Sequence, residues 1–278
     1  MLIKRIWIDM KKSILIFFSI FPLVAIAQEV KIFEYPKFHL AAEVGVGFLA
    51  GTTIKPDAIR ENQSYNFDNS YYHDDFYCGF VFDYYTTPHY YVGVKPEISI
   101  TNSISIAAGV RFLGSNYTLN SDRNYFLWKV SEKDLITNYV RITDIKQNSL
   151  YIGIPIEMLV YTYKRDIRFR HFFKWGTSLN FLLWSKTTPY FENAAMNKYA
   201  DKVKNDIEKR DRFTPTGFIG MGFKIGRMNR PFGTFEFRMP FVLKENTGFS
   251  SFAESSVGFE FQTSINFPTG KKKMTCIY

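Results

Sequence analysis

Apolar residues recur at every second position from Leu40 through Ala42, Val44 and Val46 to Phe48, with Ala41, Glu43, Gly45 and Gly47 between them. A period of two puts one face of a strand in an apolar environment and the other elsewhere. Here the second face is small or charged, which does not suit the core of a soluble sandwich. It suits the inside of a transmembrane β-barrel, where lipid lies outside and polar side chains pack within.

The pattern returns in seven further segments. They are a stretch within 76–100, then 103–117, 149–161, 169–183, 216–226, 233–243 and 255–267, with the first at 38–49. Each is long enough to cross a bilayer as a tilted strand, which takes about 9–11 residues. The connections alternate. Those at 51–75, 116–148 and 185–215 are long and that at 244–254 intermediate, whereas Thr101-Asn102, 163–167 and 227–232 are short. Outer-membrane barrels have this asymmetry, with long extracellular loops and short periplasmic turns, and an even strand count leaves both termini on the short-turn side. The sequence therefore predicts an all-β antiparallel transmembrane β-barrel of eight strands.

The inward parity carries Glu43, Glu97, Glu157, Glu236 and Glu260, and Lys95, Arg111, Lys174, Lys224 and Arg238. An eight-stranded barrel is just wide enough for side chains to fill it. Five acids and five bases in that space should pair, because an unpaired buried charge costs several kcal/mol. Glycines at 45, 47, 93, 109, 153, 176, 220, 222 and 258 share this face and leave room for the long side chains. The interior is thus expected to be plugged. Pro96, Pro155 and Pro240 fall inside strands, so each requires a bulge or a missing ladder bond. The segment 76–100 exceeds what a bilayer needs. A break near Thr86-Thr87-Pro88, with a further strand at 125–130 or 139–145, makes ten strands the alternative.

The N-terminus reads as an export signal. Lys4, Arg5, Lys11 and Lys12 precede an apolar run over 13–24, and Ala25-Ile26-Ala27 fits a cleavage site. This divides the chain into a signal peptide at 1–27, a barrel at 28–267 and a tail at 268–278. Met10 is a second candidate start. The mature chain would carry 31 basic against 25 acidic residues, a net charge of +6. The basic residues do not gather into one patch, so nucleic acid is not an expected partner. Aromatic residues make up 18% of the chain, and interfacial girdles give that excess a place. Cys78 and Cys276 fall at opposite ends of this topology, which argues against a disulfide.

The loop over 185–215 predicts a helix, with Met196, Tyr199, Ala200, Val203 and Ile207 at helical spacing. Such a helix either engages a partner as a lid or packs on the barrel rim. The first loop is rich in Tyr65, Asn66, Asp68, Tyr71 and Tyr72, a composition suited to binding or simply to solvent. His73-Asp74-Asp75 is the one compact cluster with catalytic character, and no second histidine stands at metal-ligand spacing. No catalytic, cofactor-binding or metal site is assigned, and no cofactor is expected.

The run Tyr151-Ile152-Gly153-Ile154-Pro155-Ile156-Glu157, the glycine-spaced Phe218-Ile219-Gly220-Met221-Gly222-Phe223 and the closing Val257-Gly258-Phe259-Glu260-Phe261 resemble the PorT-like outer-membrane β-barrel proteins. The resemblance implies a small eight-stranded barrel in the outer membrane of Gram-negative bacteria. It would account for Pro155 and supplies no catalytic residues. The founding member of that family serves a protein-secretion apparatus. This chain departs from the pattern in its long outer loops and its tail. The expected function is non-enzymatic, acting through the loops in binding, envelope structure or secretion. Outer-membrane lipid and lipopolysaccharide are expected partners, with envelope or secretion proteins as further candidates. The alternative is a barrel enzyme, omptin-like or lipid-modifying, with its site at the extracellular rim.

Overall fold

The computed structural model describes residues 38–53, 56–59, 85–101, 103–120, 125–133, 136–162, 168–207, 211–227, 230–244 and 248–269. The signal segment, His73-Asp74-Asp75, the aromatic stretch of the first loop and both cysteines lie outside them.

Ten strands form one antiparallel sheet: β1 (Phe38–Thr53), β2 (Tyr85–Ser99), β3 (Ile104–Ala108), β4 (Val110–Asn120), β5 (Phe126–Lys133), β6 (Ile136–Tyr161), β7 (Phe169–Phe191), β8 (Phe213–Ile225), β9 (Phe232–Val242) and β10 (Ala253–Thr269). β1 pairs with β10 on one side and with β2 on the other, which closes the sheet into a barrel. β3 and β4 are successive halves of one wall strand, both lying between β2 and β6. The wall therefore has eight strands, as the alternation predicts. Closure leaves the wall without an edge, so every strand can satisfy its backbone on both sides.

The count of ten arises differently from the expected break near Thr86. One extra strand is the segment 125–130, now β5, which pairs only with β6 and stands off the ring. The other comes from the interruption of the third wall strand at Gly109. Residues 139–145 are not a separate strand but part of β6, and the long connection 116–148 is a hairpin-like extension of the sheet rather than a loop. β7 likewise runs to Phe191, beyond the expected 183.

Pro96, Pro155 and Pro240 coincide with gaps in the wall register. The β2 register passes from Glu97↔Ala107 in β3 to Val94↔Val110 in β4, skipping Lys95 and Pro96. On the opposite side the Pro155 carbonyl accepts from the Gly109 N–H at 3.1 Å, and proline has no N–H to return the bond. The wall strand thus lapses where it is flanked by two prolines. Pro240 falls in a gap of the β9–β10 register, between Phe241↔Val257 and Arg238↔Glu260.

Described residues anchor the ends of two short connections. Thr101 Oγ1 accepts from the Ser103 and Ile104 N–H groups, fixing the β2–β3 turn. Gly226 leaves β8 at φ 126°, a conformation that L side chains rarely adopt, and its N–H donates to the Arg168 carbonyl.

Across the middle of every wall strand the outward residues are mainly apolar, and many are open. Val46 is 59% exposed and Phe261 61%, with Val92, Phe112, Ile156, Phe173, Met221 and Phe235 comparably bare. A continuous apolar belt around a closed sheet is a lipid-facing surface. Among the described residues no helix is long and apolar enough to cross a membrane. Replacing Val46 with Arg should destabilise the folded barrel in lipid vesicles by about 2–4 kcal/mol if Val46 sits near the bilayer midplane. Urea unfolding in vesicles measures this, and an unchanged midpoint would count against a lipid-facing β1.

Candidate functional site

Alternation sends the ten expected charged residues inward, and all ten are buried, none more than 6% exposed. They form two groups. The larger centres on Glu157 of β6. Its carboxylate meets Arg111 Nη2 at 2.7 Å, Lys174 Nζ at 3.1 Å and Arg238 Nη1 at 3.4 Å, and it also pairs with Lys95. Arg111 bridges to Glu43 through Nε at 2.5 Å, and Lys95 reaches the other Glu43 oxygen at 3.0 Å. Lys174 pairs with Glu236, and Arg238 contacts both Glu236 and Glu260 at 3.4 Å. The smaller group lies toward the short-turn end, where Lys224 donates to both Glu97 oxygens at 2.8 and 2.7 Å.

Tyrosines extend both groups. Tyr91 donates to Glu260 at 2.5 Å and accepts from Arg238 at 2.7 Å, and Tyr161 donates to Glu97 at 2.7 Å. Neither was singled out from the sequence, although inward parity was available for both. Arg170 was missed as well. It is fully buried on β7, with its guanidinium carbon 5.7 Å from the Tyr161 ring centroid and 5.6 Å from that of Phe232. His39 and His89 are buried, as parity indicates, and His89 Nε2 lies 3.4 Å from Glu260. His171 instead faces out, edge-on to Phe169 with ring centroids 5.0 Å apart.

The inward glycines make the space. A Cβ on Gly45 would sit 2.2 Å from Tyr91 Cζ, and one on Gly222 would meet the Phe172 ring at 2.7 Å.

Above the charged layer the lumen turns apolar. Residues 248–252, ahead of β10, lie in the mouth and place Phe249 among Leu49, Tyr91, Leu113, Tyr151 and Val242. The Phe249 carbonyl accepts from Ser115 Oγ at 3.2 Å. Gln147 holds the same segment, its Oε1 accepting from the Ser251 N–H at 2.9 Å. A second apolar cluster stands higher still, formed by Leu119, Trp128, Val140, Ile142, Ile145 and Phe252 with others.

The predicted helix belongs to this upper cluster. A 3-10 turn at Ala194–Tyr199 leads into α1 (Ala200–Asp206), and Val203 and Ile207 are buried in it. Met196 and Tyr199 pack against it, and Trp128 Nε1 donates to Asp206 Oδ2 at 3.3 Å. Of the two readings of this helix, the structure shows rim packing. No group of three or more metal-ligating side chains occurs among the described residues.

Substituting Glu157 with Gln removes one charge from the centre of four cations. Breaking a buried pair in this way costs about 3–5 kcal/mol. The expected outcome is a lower temperature for loss of the folded gel band. An unaltered temperature would show that the four cations do not depend on this carboxylate.

No protein-family model matches the chain, and no curated protein does. Among solved structures, it is similar to the N-terminal β-barrel domain of Pseudomonas aeruginosa OprF, with 7% identity, 84% of this chain and 99% of that chain covered, and a TM-score of 0.36. It is also similar to the outer membrane protein OprG from Pseudomonas aeruginosa, with 8% identity, 84% and 98% covered, and a TM-score of 0.35. From strand pairing and sidedness alone, the chain has the architecture of a small outer-membrane β-barrel.

Proposed function

We propose that this chain is an outer-membrane protein of a Gram-negative envelope, non-enzymatic, whose barrel is a closed scaffold and whose function lies in its extracellular surface. That surface serves binding, envelope structure or secretion. One observation carries the reading: the wall is apolar outside and charged inside, the reverse of a soluble barrel that holds an apolar ligand. The short turns, the start of β1 and the end of β10 lie at one end of the barrel, which becomes the periplasmic end. The upper apolar cluster and α1 then stand outside the cell.

The closed interior follows from the burial of its side chains. A water-filled channel would leave lumen residues wetted, yet Arg238 is 0% exposed and Lys224 1%. The lumen's titratable groups are occupied with one another, which favours a scaffold over a catalytic chamber. The resemblance of 151–157 to the PorT-like strand supports a secretion or envelope role within this reading.

Two measurements test it. The protein should fractionate with outer membranes and show heat-modifiable gel mobility, and a soluble, unmodifiable product would overturn the membrane reading. In planar bilayers it should give no large steady conductance. Phe249→Ala should also conduct little, because the charged layer still fills the lumen beneath it. Steady channels from the unsubstituted protein would overturn the closed interior.

A further inference from the structure

We propose that the outer face of β6 and β7, just above the apolar belt, binds the phosphate of a phosphorylated glycolipid in the surrounding leaflet. This site rests on the membrane reading above.

On β6 the outward residues read upward as Ile156, Ile154, Leu150, Asn148 and Lys146, all exposed. From Val160 to Leu150 the wall climbs about 25 Å when strand tilt is included, so Leu150 marks the upper edge of the hydrocarbon. Across the pair, Leu150 faces Trp184, Asn148 faces Lys186 and Lys146 faces Thr188. The two lysines are therefore diagonal neighbours on one surface, immediately above an exposed tryptophan. A bulge between Leu182 and Trp184 turns both Leu183 and Trp184 outward, which thickens the apolar rim under the lysines. On the next strand Asn116 pairs with Asn148, adding exposed amide groups at the same height.

The charge at this level is unbalanced. Four other exposed cations of the upper region have carboxylates: Arg141 with Glu192, Lys202 with Asp206, Lys204 with Asp201 and Lys244 with Asp211, whereas Lys198 lies over the Tyr199 ring. Neither Lys146 nor Lys186 has a carboxylate at ion-pair distance among the described residues. Lys146 lies over the Tyr190 ring, 5.1 Å from its centroid. Asp144, two residues up the same face and opposite Tyr190, pairs with neither lysine and sets the upper limit of the site. Two unpaired ammonium groups over an apolar and aromatic ledge match an anionic headgroup whose acyl chains continue down the belt.

Native mass spectrometry of the purified protein tests this, with lipid A carrying both phosphates, lipid A stripped of both, and inorganic phosphate as probes. Phosphorylated lipid A should be retained about tenfold more tightly than the stripped form. The double variant Lys146→Ala/Lys186→Ala should bring the two lipids level, while Lys202→Ala/Lys204→Ala should not change the ratio. Equal retention of both lipids by the unsubstituted protein would overturn the site, as would full retention by the lysine variant. Displacement of the lipid by millimolar inorganic phosphate would also overturn it, because the occupant is then a free anion. A protein that lacks heat-modifiable mobility would fail the membrane reading itself, a result distinct from failure of the site in a folded barrel.

Discussion

Fixed charges in a lumen too narrow for bulk water must neutralise one another, and Glu157 is where that demand concentrates. Its two oxygens face Lys95, Arg111, Lys174 and Arg238, which come from β2, β4, β7 and β9. One side chain of β6 thereby ties together strands from around the wall. Desolvating five carboxylates is repaid only if each finds cations at short range and the remaining lone pairs find donors. Tyr91 and Tyr161 supply those donors, and glycines such as Gly45 opposite Tyr91 supply the volume. The charge pattern, the aromatic residues of the lumen and the glycine positions are three parts of one solution.

The upper part of the molecule answers a different problem. Once β5, β6 and β7 rise beyond the bilayer, lipid no longer solvates an apolar face, and the sheet must bury its own. Trp128, Ile142, Leu119 and Val203 do so by bringing α1 and Phe252 onto the inner face of the extension. The outward face changes accordingly from Leu150 and Trp184 to Lys146, Lys186 and Arg141. The protein is thus built of two cores of opposite sense: one polar core inside an apolar wall, and one apolar core inside a polar rim.

The wall was legible in the sequence because lipid outside and charge inside impose a strict period of two on every strand. Parity alone placed Glu43, Lys95, Arg111 and the other charged residues correctly. The extension was legible only in part: 125–130 and 139–145 read as candidate strands, but the continuation of β6 and β7 past 149 and 183 did not, because bilayer thickness does not limit a strand once it leaves the membrane. The break at Gly109 escaped notice for another reason. Its cause lies in Pro96 and Pro155, on two neighbouring strands, and no local feature of 103–117 announces it. Arg170 also sits on the inward parity, and its guanidinium lies by the Tyr161 and Phe232 rings, a contact that a tally of acids against bases does not register.

The interruption at Gly109 bears on how such a wall could yield. Barrels are often imagined to part where the first and last strands meet. Here all sixteen residues of β1 are registered against β10, with one bulge between Ala50 and Gly51. The wall strand between β2 and β6 offers less, with three registered positions from β2 to β3 and six to β4. The seam of β9 with β10 has eight registered positions and a gap at Pro240, so a sideways opening toward lipid would begin at one of these two proline-interrupted seams and not at the joint where the chain closes on itself.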